Sequence, residues 1–87
     1  MDITNIRVKR IENDSKLKAW VSVTFDDVFV VHNIKIIQGQ DDMFIAMPNR
    51  LTKDGVLKDI AHPISTEFRQ QLQNKVIEAY QQAEQVV

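Results

Sequence analysis

Hydrophobic and polar positions alternate through the first half of this chain and then switch to a three- and four-residue recurrence in its last quarter. From Lys16 to Phe25, the residues Leu17, Ala19, Val21, Val23 and Phe25 fall on one face. Lys16, Lys18, Ser22 and Thr24 fall on the other, together with Trp20. Period-2 alternation of this kind predicts a half-buried antiparallel strand. An earlier strand sets Ile6 and Val8 against Arg7 and Lys9. A third carries Val28, Val30, His32, Ile34 and Ile36 on one side, with Phe29, Val31 and Ile37 on the other. Apolar residues on both sides predict a central strand or one covered on both faces. Short polar clusters, Glu12–Ser15 and Asp26–Asp27, join these strands into a meander, because such side chains bond their own backbone in turns.

Gly39 and Asp41–Asp42 close the third strand, and a fourth runs toward Met47–Pro48. A basic loop then turns at Asp54–Gly55 into a fifth strand, which leaves through His62–Pro63. From Ser65 onward Phe68, Leu72, Val76, Ala79, Tyr80 and Ala83 form a helical stripe, with Ser65 as N-cap and Glu67 in the first turn, where the helix dipole favours an anion. Arg69, Gln70, Gln73 and Gln81 lie away from the stripe. The predicted strands cover residues 2–11, 16–26, 28–38, 43–48 and 56–61, and the helix covers 65–84. The expected fold is α+β: a four- to five-stranded antiparallel sheet with one C-terminal helix packed on it, forming a dimer. Two layers around one core suit such a set of elements.

The 87 residues make a single domain over 1–87. A core of this size buries only about 60–65% of the unfolded surface, so a second subunit would add needed burial. Cysteine is absent, which removes disulfides and thiol-bound metal and suits a reducing cytoplasm. Residues 1–10 alternate instead of forming a charged-then-apolar leader. No apolar run nears the ~20 residues of a membrane span.

Catalytic chemistry finds little support. Glycine occurs only at positions 39 and 55, so a glycine-rich phosphate loop and a nucleophile elbow are both missing. Asp59 and His62 are three apart, a spacing that a strand sends to opposite faces. His62 reads as a residue bonding backbone at the strand-to-helix corner. His32, on an apolar face, reads as a core or dimer-interface imidazole. Neither an enzyme nor any metal or other cofactor is expected.

The net charge of −1 gives no global attraction to nucleic acid, yet charge is segregated. Arg7, Lys9, Arg10, Lys16 and Lys18 outweigh Asp2, Glu12 and Asp14, and Arg50, Lys53 and Lys58 outweigh Asp54. Asp26, Asp27, Asp41 and Asp42 surround only Lys35. A loop offering Arg50 and Lys53, with Lys58 following and Asn49 and Thr52 adding neutral hydrogen bonds, suits phosphate contact. A solubilising surface hairpin accounts for the same residues, and the residues alone leave both readings standing.

The segments Ile3–Arg7, Val30-Val31-His32, Phe44-Ile45-Ala46-Met47-Pro48 and Asp59-Ile60-Ala61-His62-Pro63-Ile64 resemble the stage V sporulation protein G family of bacterial septation regulators. The similarity runs from residue 1 to about 80. It implies a cytoplasmic, dimeric regulator that binds DNA, and in some members RNA, and influences septation, sporulation or gene expression. After Met-Pro the family usually reads Ser-Lys-Arg-Thr-Pro-Asp-Gly, where this chain has Asn49-Arg50-Leu51-Thr52-Lys53-Asp54-Gly55. Arg50 keeps a cation, Leu51 loses one, and Lys53 replaces a proline. Lys58 and Arg69 match basic positions of the family. The expected nucleic-acid contacts are therefore Asn49, Arg50, Thr52, Lys53, Lys58 and Arg69. The competing reading is a protein–protein module that acts at the cell-division machinery without nucleic acid. A dimer with no ligand is a third.

Overall fold

The computed structural model describes residues 1–11 and 16–85, with side chains to residue 82. Four strands, β1 (Ile3–Arg10), β2 (Leu17–Phe25), β3 (Phe29–Gln38) and β4 (Met43–Ala46), form an antiparallel sheet in the order β1-β2-β3-β4. The helix α1 (Thr66–Gln85) covers one face, touching both edge strands. Ala19, Val21, Val23 and Phe25 from β2 meet Ile34, Ile36 and Ile45 from the neighbouring strands, with Leu72, Val76 and Tyr80 from α1 closing the core. The β2 alternation and the helical stripe thus point at each other as their periods require. The turn expected at Glu12–Ser15 lies outside the described residues.

Local chemistry sets the element boundaries. Asp26 and Asp27 adopt φ of 52° and 58°, and the Val28 N–H donates to the Phe25 carbonyl at 3.0 Å. Two left-handed central residues make the hairpin turn whose twist matches that of its strands. The Asp26 carboxylate accepts from the Asp2 N–H at 2.9 Å, tying the turn to the start of β1. Gly39 donates to the Asp42 carbonyl at 2.9 Å, and a Cβ there would lie 2.9 Å from that same oxygen, so the β3–β4 turn needs a glycine. Ser65 caps α1, its Oγ accepting from the Phe68 N–H at 3.0 Å, as the sequence predicts.

Four expectations change. The fifth strand does not join the sheet. Residues 57–59 form β6 (Leu57–Asp59), paired with a short β5 (Asn49–Leu51) in a separate two-stranded sheet. Pro48 is buried and has no N–H, so the β4 ladder ends before it, at Ala46. The turn at Gly55, with φ of 79°, folds the chain straight back on the segment read as loop.

The faces of β3 also change along its length. Val21 pairs with Ile34 but Val23 with Val31, so β3 holds an extra residue there, and Asn33 takes a φ of 65°. Such a bulge reverses alternation. Val31 joins Ile34 and Ile36 on the core side, while Val28 and Val30 are exposed.

His32 is exposed, not a core residue, and its Nδ1 lies 2.8 Å from the Ser22 Oγ on the outer side of the sheet. By contrast, His62 does bond backbone at the corner, with Nδ1 3.0 Å from the Pro63 carbonyl. Gln73, expected away from the packed stripe, is half-buried. Its Oε1 accepts from the Ile45 N–H at 3.4 Å on the β4 edge. Among the described residues, no helix is long and apolar enough to cross a membrane.

Candidate nucleic-acid interface

Cross-strand register, not sequence proximity, decides which basic residues act together. In the β5–β6 hairpin, Arg50 stands directly opposite Lys58, with Leu51 opposite Leu57 and Asn49 opposite Asp59. Because strand side chains alternate, one face of the hairpin carries both cations and the other carries both leucines. Like charges directly opposed destabilise a pair by a few tenths to about 1 kcal/mol. Nothing in the folding of the hairpin requires that arrangement.

The hairpin loop is built tightly. The Thr52 N–H donates to the Val56 carbonyl at 2.9 Å, and the Gly55 N–H to the Thr52 carbonyl at 3.0 Å. This is a three-residue loop with the left-handed position filled by Gly55. The Thr52 Oγ1 accepts from the Val56 N–H at 3.3 Å, so its hydroxyl is partly committed to the loop and keeps its O–H to donate outward. Lys53 is exposed at the tip beside Asp54. At the base, the Ile60 N–H donates to the Pro48 carbonyl at 2.7 Å. The two strands pack chiefly on each other instead of on the main sheet or α1, so the hairpin stands free of the body.

The remaining predicted residues are placed differently. Asn49 is half-buried at the hairpin base. Arg69 is exposed in the first turn of α1, where the helix dipole opposes a cation, so helix stability does not account for it. The register brings Arg50 and Lys58 together with Lys53 at the tip, while Arg69 belongs to a separate element.

The leucine face is uncovered. Leu51 and Leu57 are 66% and 65% exposed, and Ile60 and Ile64, on the way to the helix, are 65% and 96% exposed. Ile64 also borders an apolar groove that runs between Phe25, Phe29, Met47, Phe68 and Leu72. This apolar side was not visible in the sequence, because NRL and LKD are too short to show alternation. The two leucines, each three residues from Asp54, were the available signal.

The architecture is that of a small α+β domain with a projecting basic hairpin. The family model for SpoVG matches residues 1–82. The "Putative septation protein SpoVG" of Clostridium beijerinckii is 55% identical over 83 residues, covering 95% of this chain and 91% of that protein. Proteins of the same name from Lachnospira eligens and Caldicellulosiruptor saccharolyticus are 54% and 56% identical. They cover 99% and 93% of this chain, and 98% and 92% of their own lengths. The chain belongs to the SpoVG family.

Proposed function

We propose that this chain is a non-enzymatic bacterial regulator that binds DNA, and RNA in the same manner, as a dimer in the cytoplasm. Through that binding it influences septation, sporulation or gene expression. The observation that carries the reading is Arg50 set directly against Lys58 on a free-standing hairpin. Two cations held side by side at some cost to stability suit a phosphate backbone, which supplies the missing counter-charge. Lys53 at the tip and Arg69 on α1 extend the contact, and Asn49 and the Thr52 hydroxyl add neutral donors. The septation role in the relatives' name supports a regulatory setting. Dimerisation through the leucine side would leave the cationic faces outward and double the number of phosphate contacts. Contacts of this kind position the protein without reading bases, so modest sequence selectivity is expected.

The test is fluorescence anisotropy of labelled duplex DNA and RNA at low and physiological salt, with an Arg50→Glu, Lys53→Glu double variant whose folding is confirmed by circular dichroism. Affinity that falls steeply with salt and collapses in the variant is the expected outcome. A chain that ignores both duplexes at low salt would overturn the hairpin as a nucleic-acid interface. That result would move the function to the protein–protein reading at the division machinery.

A further inference from the structure

The face of the main sheet opposite α1 carries a second arrangement that the hairpin does not use. Ala19, Val21 and Val23 point into the core, so Trp20 and Ser22 point outward. Register places Lys9 and Lys35 on either side of Trp20, one strand away each, and Arg7 beside Ser22. Lys35 Nζ lies 5.4 Å from the centre of the Trp20 ring, and His32 reaches the same face through Ser22. None of the four strands contains an aspartate or glutamate. In a chain of net charge −1, this face therefore sets Arg7, Lys9 and Lys35 around the Trp20 ring, with no aspartate or glutamate within its strands.

We propose that this outer sheet face binds single-stranded nucleic acid, with a base stacked on Trp20 and phosphates held by Arg7, Lys9 and Lys35. The proposal rests on the nucleic-acid reading above but assigns a different surface and a different form of the ligand. Four strands at about 4.8 Å spacing make this face wider than either groove of an undistorted duplex, whereas unpaired bases stack on an accessible aromatic ring while cations track the backbone. Trp20 and Lys35 are both half-buried, and a lysine over a tryptophan contributes a few-fold in equilibrium terms, more as the pair is desolvated. A stacked base contributes on the order of tenfold or more. An incoming base therefore displaces Lys35 from the ring, and the freed ammonium meets the neighbouring phosphate.

Trp20 is the only tryptophan of the chain, so its emission reports on this face alone. The experiment titrates the full chain with an oligodeoxythymidine of about 12 nucleotides, near the upper end of single-strand site sizes, and follows both tryptophan emission and anisotropy of the labelled strand. Expected are saturable quenching, a Trp20→Ala variant about tenfold weaker for the single strand but unchanged for a duplex, and near-normal binding by Trp20→Phe. Melting curves check that both variants fold. The Arg50→Glu, Lys53→Glu variant should lose duplex affinity and keep the quenching. Quenching that persists where even the wild-type chain fails to bind duplex would overturn the hairpin reading and support this one. Strand binding with unmoved emission, a Trp20→Ala variant equal to wild type, or equal quenching by polyglutamate would each overturn the proposal.

Discussion

Individual residues hold backbone conformations that their chemistry only tolerates. Asp26 and Asp27 sit in the left-handed region, which for a non-glycine residue costs roughly 1–2 kcal/mol. Asp26 recovers part of this through its carboxylate bond to the Asp2 N–H. The Asp27 backbone N–H donates to Thr4 Oγ1 at 3.0 Å, and that bond survives any side-chain change. Asp27→Gly should therefore relieve strain, offset in part by the extra freedom of glycine in the unfolded chain. A gain of up to about 1 kcal/mol is expected, a rise in Tm of a few degrees for a domain this size. A Tm below wild type in a thermal melt would show that the Asp27 side chain does something the geometry does not reveal.

At the scale of elements, the hairpin is the outlier. Isolated two-stranded hairpins are marginal in water, and this one leaves Leu51 and Leu57 exposed on one face. Covering that face with a second copy would remove the exposure while leaving Arg50 and Lys58 outward. Sedimentation velocity should give a dimer for the wild-type chain and a monomer for Leu51→Thr, Leu57→Thr, which keeps strand propensity but removes the apolar pair. A wild-type monomer at tens of micromolar, the concentration range in which exposed apolar surface associates, would rule out this interface. The elements differed in how far they could be read beforehand. β2 and α1 were legible because each repeats its period over several turns or pleats, and Ser65 announced the helix start. β5 was not, since three residues carry no period and its partner is set by the turn. The reversal of faces in β3 was hidden because a bulge depends on the left-handed φ of Asn33, a residue that serves equally well in ordinary conformations. Arg50, Lys53 and Lys58 could be singled out by charge, but the opposition of Arg50 and Lys58 needed the register. The grouping of Lys9, Trp20 and Lys35 needed it as well.

Across the whole molecule, charge is sorted by position and not by amount. The strands of the main sheet hold cations and no carboxylates, whereas Asp26, Asp27, Asp41 and Asp42 occupy turns, and Glu67 and Glu78 lie on the helix. A chain close to neutral overall draws no polyanion from a distance, so the proposed binding rests on short-range contacts at these faces. In the proposed function, the hairpin holds Arg50 against Lys58 for binding and not for folding. Lys58→Glu tests it most directly, because the change turns a repulsive cross-strand pair into an attractive one. Its Tm and its duplex affinity would be measured together, the latter across a salt series. The expected Tm equals wild type or rises by up to the few degrees that a cross-strand pair of about 0.2–1 kcal/mol supplies. Duplex binding should weaken about tenfold or more, with a shallower salt dependence as phosphate contacts are lost. A lowered Tm with undiminished affinity would contradict the proposed function, making Lys58 a structural residue and leaving the hairpin without its assigned role.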